Sequence, residues 1–217
     1  MIDVSNLKDA LETLGFVAHG DIHEKVFPEI GCSLKVDFHA KKLIYPNEIK
    51  GRERNNGFDK KENFVVFECV CRLLSKGYRP EHIELEKEWH LGHDPKGGRA
   101  DICVTDTSGN MLFIIECKTW GREYDKALNN TKSDGAQLFS YWQQEQSCKW
   151  LVLYASDLKG GCIVHKASTI DCSDDANIVL LSKKDKSIKL YRDANTASAK
   201  YEAWKETYAF CWAVAKG

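Results

Sequence analysis

"FIIECK", residues 113–118, runs from three β-formers, Phe113, Ile114 and Ile115, straight into Glu116, Cys117 and Lys118. Side chains alternate along a strand, so Glu116 and Lys118 share one face while Ile115 and Cys117 share the other. Just upstream lies "RADICVTD", 99–106, joined to it through "TSGN", 107–110. The Ser-Gly-Asn chemistry of that link predicts a turn, and with it an antiparallel pair of strands. Folding about a turn centred near 108–109 brings Asp101 opposite Glu116. Two carboxylates and an ammonium then converge at one end of a hairpin.

Working outward, "KKENFVVFECVCRLLSKGY", 60–78, predicts the longest helix, ending near Lys76 with Gly77 as its stop. "IELEKEWHLG", 83–92, alternates as a strand. After Lys118 the pattern is helical over 122–129 and 136–146, and "KWLVLYAS", 149–156, has the length and apolar continuity of a strand buried on both faces. Short strands are expected near 162–165, 178–181 and 188–191, and "AKYEAWKETYAFCWAVAKG", 199–217, as an aromatic-rich final helix. At the other end, 5–14 reads as a helix capped by Ser5, followed by strands near 33–38 and 42–45. The polar, Gly/Asn-rich stretch 47–59 marks a soft boundary. The expected fold class is therefore α/β, a central mixed β-sheet flanked by helices, with residues 1–59 as an N-terminal extension and basic linker, 60–156 as the core, and 157–217 as C-terminal strands and a helix packing on it.

With 43% hydrophobic and 29% charged residues in 217, this is the composition of an ordinary soluble domain. No apolar run approaches the roughly 20 residues of a membrane span, and the amphipathic N-terminus is unlike a signal peptide, which points to the cytoplasm. A formal charge of −1 creates no global field toward nucleic acid or membrane. Residues 41–61 are locally basic, with seven Lys/Arg against three acids, as either a phosphate-contacting arm or a solvated linker would be. The nine cysteines are scattered without a CxxC pair, several within apolar runs, where Cys acts as a small hydrophobe. His90 and His93 are the remaining metal candidates, but they lack a second ligand pair. No Walker-type Gly-rich loop is present, so the chain alone is not expected to hydrolyse ATP.

Adjacent carboxylates repel, and in isolation one would take up a proton. A hard divalent cation removes the conflict, since Mg²⁺ takes one or two carboxylates together with substrate phosphate oxygens, and Mn²⁺ can substitute. Lys118 would then hold an attacking water and offset charge developing on phosphorus, an arrangement suited to phosphodiester hydrolysis. On the helix 60–76, advancing about 100° per residue from Glu62 places Glu62 at the edge of the apolar arc, facing the sheet, and Glu68 on the opposite, surface side. Glu62 also suits a helix N-terminus electrostatically. Gln137 and Tyr141, four apart, share one helical face and can reach phosphate oxygens or a base edge, or brace the site.

In that order and spacing, Glu62, "GGRAD" with Asp101, "IIECK" with Glu116 and Lys118, and "QLFSY" with Gln137 and Tyr141 resemble the PD-(D/E)XK nuclease superfamily. The likeness is closest to the N-terminal endonuclease domain of type I restriction motor subunits and of fused restriction-modification enzymes, over roughly 60–156. The resemblance implies a restriction-endonuclease-like core with Asp101 and Glu116 as metal ligands and the Cys117 carbonyl completing the protein's share. It further implies that Lys118 positions the water, Glu62 sits at the edge of the site, and Gln137 and Tyr141 match the QxxxY element. Ala100 stands where the motif has proline, a permissive position. The implied activity is Mg²⁺-dependent DNA endonuclease, with methylase, specificity or helicase regions of the same polypeptide or complex choosing the target, this chain being the nuclease portion of a longer protein. The competing readings are a non-catalytic nucleic-acid-binding or assembly module that keeps the fold, and a repair or recombination nuclease.

Overall fold

In a computed structural model, which describes residues 1–89, 98–134 and 136–183, the amphipathic start forms helix α1 (Leu7–Thr13). Asn6, not Ser5, occupies its cap position, and without a capping bond. The Asn6 carboxamide turns back to the Asp3 amide at 2.9 Å, and the Ser5 hydroxyl donates to Asp3 at 2.6 Å, so both side chains close the preceding turn. An antiparallel sheet follows in the order β1 (Val17–His19), β2 (Ile22–Phe27), β3 (Cys32–Asp37) and β4 (Lys42–Ile44). β3 and β4 lie where the pattern places strands. β1 and β2 carry no such signal, because β1 is exposed throughout and β2 is broken by three consecutive polar residues, His23 to Lys25. Residues 41–61 fold back onto this sheet: Tyr45 and Ile49 are buried, Arg54 pairs with Glu88 at 2.8 Å and Lys61 with Asp3 at 3.2 Å.

Helix α2 (Lys61–Ser75) ends at Gly77, whose φ of +88° is open to glycine without a Cβ clash. The second sheet has the order β5 (Ile83–Glu88), β6 (Arg99–Thr105), β7 (Met111–Cys117), β8 (Trp150–Lys159) and β9 (Cys162–Asp171). It is antiparallel except between β7 and β8, which run parallel. A parallel pair needs a crossover, and here α3 (Arg122–Asp134) and α4 (Ala136–Gln144) supply it. This is the expected mixed sheet flanked by helices.

Alternation sorts the strands into two cores. Phe113, Ile115 and Cys117 of β7, with Val152 and Tyr154 of β8, pack into one cluster with α1, α2 and the first sheet. Ile114, Leu151, Leu153 and Ala155 join α3 and α4 in the other. α2 is thus enclosed between two layers, and its residues 63–71 are all buried.

Helix α5 (Asp175–Lys183) occupies the region expected as a strand near 178–181. Asp174 accepts from the Ala176 amide at 2.9 Å, an N-terminal cap that commits the run to helix before its β-branched residues find a strand to pair with. The strand expected near 188–191, the final helix 199–217, and His90 and His93 lie outside the described residues.

Candidate functional site

The β6–β7 register pairs Ile102 with Ile115 and Cys103 with Ile114, so Asp101 lies across from Glu116 one step on. Asp101 accepts a hydrogen bond from the Cys117 amide through Oδ2 at 2.7 Å, which ties it to the end of β7. Lys118 leaves the strand there, its own amide bonded to the Tyr154 carbonyl at 2.8 Å. The Lys118 ammonium reaches Glu116 Oε1 at 2.6 Å and Glu62 Oε1 at 3.0 Å. Glu62, in the first turn of α2, therefore faces this end of the sheet, as its edge position on the helix predicts. The Glu116 side chain is only 5% exposed and that of Lys118 20%.

Three carboxylates thus surround one ammonium. Loss of hydration, followed by the charge of Glu116, drives the Asp101 pKa well above the ordinary range, against the opposing pull of Lys118. Burial also raises Glu116, although Lys118 and the Tyr141 hydrogen bond resist it. Burial works against the charge of Lys118, but Glu116, Asp101 and Glu62 outweigh it and hold the amine above its usual pKa.

Tyr141 is fully buried on α4. Its hydroxyl lies 2.9 Å from Glu116 Oε2 and 2.5 Å from the Arg99 carbonyl, and its single proton serves one acceptor at a time. The ring packs on the neighbouring pair Trp89, stacked at 5.6 Å, and Gly98, where a Cβ would come within 2.7 Å of Tyr141 Cε1. Gln137 is exposed and lines a cleft of about 160 Å³ with Glu116, Lys118, Lys126, Asn130 and Leu153. Of the pair four apart, Tyr141 braces the carboxylate while Gln137 borders open space.

Glu68 is not a surface acid. It is 1% exposed, bound to Arg72 at 2.6 Å and to the Tyr154 hydroxyl at 2.7 Å. A helical wheel assumes one solvated face, and α2 has none at this position because layers cover both sides. Sequence reasoning also passed over Gly98 and Trp89. The glycines of "GGRAD" are a signal compatible with a close approach, but the partner, a ring on α4, is tertiary information.

The donor chemistry suits a divalent cation, although no three His, Cys, Asp or Glu side chains gather as a ligand group among the described residues. The negative charge exceeds the positive, Asp101 lies across from Glu116, and Asp101 Oδ1 makes no hydrogen bond among the described residues. Oxygen donors of this kind suit Mg²⁺ or Mn²⁺ better than zinc.

Residues 62–169 match the family model described as type I restriction enzyme R protein N terminus (HSDR_N). This segment belongs to that family of restriction-system nuclease domains. The match to the R-protein N terminus starts at Glu62 itself and runs into β9, to Thr169, farther than the motifs alone reach. It takes in each of the side chains assembled above. A search of curated proteins found no match to the chain.

Proposed function

We propose that this R-protein N-terminal domain is a Mg²⁺-dependent DNA endonuclease of a restriction system. The observation that carries the reading is the Lys118 ammonium, held between Glu116 and Glu62 beside Asp101. Asp101, Glu116 and the Cys117 carbonyl would hold the metal, with Mn²⁺ able to substitute. Bound Mg²⁺ would supply positive charge to offset that developing on the phosphate.

The chain's own residues do the rest. Because its neighbours hold Lys118 protonated, it acts at neutral pH as a donor that orients a water and as a fixed positive charge, not as a base. Glu62 anchors that ammonium and can accept a proton from the oriented water. Tyr141 fixes the rotamer of Glu116, so its carboxylate enters the reaction already placed. Gln137 and Lys126 line the open side of the cleft, where phosphate oxygens would arrive. Target choice would rest with methylase, specificity or helicase regions of the same complex.

The test is plasmid cleavage with Mg²⁺ and excess protein. Asp101→Asn, Glu116→Gln and Lys118→Ala should each lose on the order of 10²- to 10⁴-fold in rate while keeping the wild-type circular dichroism spectrum. Equal cleavage by all four proteins would overturn the assignment. Calorimetry with Mg²⁺ and DNA that shows no metal binding would favour a non-catalytic module.

A further inference from the structure

The β8–β9 hairpin extends beyond the site. Cys117, the last residue of β7, pairs with Tyr154, whereas β8 continues to Lys159 and turns through Gly160 and Gly161 into β9. By alternation Leu153, which lines the cleft, shares a face with Ala155 and Lys159. Lys166 stands directly opposite Ala155 and joins the same face. Trp120, two residues past Lys118, lies partly buried there against the second core. The ammonium of Lys159 is 4.3 Å and that of Lys166 4.5 Å from the Trp120 ring centroid.

A cation resting on an indole is ordinary. Two on one ring repel each other, and nearby acids offset them little: among the described residues Lys159 has no carboxylate partner and Lys166 meets only Asp125, at 4.0 Å with both side chains exposed. The chain carries a net charge of −1, and three carboxylates surround Lys118 at the site, so a polyanion needs a local cationic surface to approach. From Leu153 to Lys159 is roughly 20 Å of strand, about six nucleotide steps at ~3.4 Å each.

We propose that Lys159, Trp120 and Lys166 form a contact surface for the sugar-phosphate backbone of duplex DNA flanking the cleaved bond. The inference rests on the nuclease reading for its partner but has its own readout. The lysines neutralise phosphates several nucleotides from the cleft, and the indole holds their ammonium groups in place.

The experiment is fluorescence anisotropy of the full chain with a labelled duplex of about 30 base pairs, in EDTA so that no cleavage intervenes, over a range of salt. Lys159→Gln and Lys166→Gln should each weaken binding about fivefold and make the slope of log affinity against log salt shallower by about 0.9. Trp120→Leu should weaken it by loosening both. Lys35→Gln, on the first sheet, is the charge-matched control and should leave the slope unchanged. Should Trp120→Leu fail to fold, the two lysine variants decide. The proposal is overturned if these variants match Lys35→Gln in affinity and slope, or if the wild type does not bind the duplex. DNA cleavage with unaltered binding by the lysine variants would sink this surface and leave the nuclease standing. Lysine-dependent binding without cleavage under Mg²⁺ would do the reverse.

Discussion

Two buried glutamates, Glu68 on α2 and Glu116 on β7, mark two charge clusters of opposite character. Glu68 meets Arg72 at 2.6 Å and the Tyr154 hydroxyl at 2.7 Å, one acid against one cation with a phenol completing the shell. Arg72 Nε bonds the same phenol at 2.9 Å, closing a triangle between α2 and β8. Around Glu116 the same residue types occur, a carboxylate, a cation and a tyrosine, but Asp101 and Glu62 leave the acids in excess. The first cluster is balanced within the chain, whereas the second holds more acids than cations. A buried ion pair is thus no sign of a site in itself; its charge balance distinguishes the two.

Breaking the balanced cluster should have the largest effect on stability. Arg72→Ala leaves Glu68, 1% exposed, with the phenol alone, and should cost about 3 kcal/mol, a fall in Tm on the order of 10 °C. Thermal melts against Arg52→Ala, whose pair with Glu53 is solvent-exposed, check it; equal falls would show that the triangle contributes nothing special.

Next in size is Gly98→Ala. The added methyl meets the Tyr141 ring, which is fully buried and can shift only by disturbing its packing, and overpacking should cost about 2 kcal/mol. Displacing the ring also withdraws the hydroxyl from Glu116, so plasmid cleavage should fall at least as far as in Tyr141→Phe. A variant with wild-type melting and cleavage would mean that the ring does not position the carboxylate.

The two clusters were not equally legible. Asp101, Glu116 and Lys118 could be brought together from sequence because their geometry is local, set by strand alternation and one hairpin register. Glu62 followed from helical periodicity. Glu68 did not, because periodicity reports where apolar residues lie and not how many layers cover the helix. β1 and β2 lack alternation, and α5 was decided by the cap at Asp174 against the β-branched content of its sequence. Trp89, Gly98 and Trp120 acquire meaning only through partners distant in sequence.

Asp101→Asn sharpens the contrast with a gain. Burial and Glu116 both disfavour its charge, while an amide oxygen can still accept from the Cys117 N–H. In EDTA at neutral pH the variant should melt higher than wild type, by about 1 kcal/mol of added stability, and under the proposed metal reading added Mg²⁺ should raise the Tm of wild type but not of the variant. A lower melting point would mean that the three acids are not in conflict.

The smallest effect belongs to His165, whose ring stacks on Tyr154 with centroids 6.0 Å apart. Burial lowers its pKa below 6.5, Arg72 and Lys76 lower it further, and Glu68 opposes them without prevailing. Because the folded pKa lies below the unfolded one, the stability contribution is complete above about pH 6.5 and is lost as the pH falls through that value toward the folded pKa. Wild type should therefore lose more Tm than His165→Gln between about pH 7 and pH 5. His23, also lowered by burial and by Lys8, remains in both proteins and cancels in the difference. Parallel curves would show that His165 does not report on the cluster. A curve in which wild type gains stability on acidification would be more damaging, since it would require unpaired negative charge beside Glu68. The balanced cluster should refuse a second cation for the same electrostatic reason that the cluster at Glu116 should accept one.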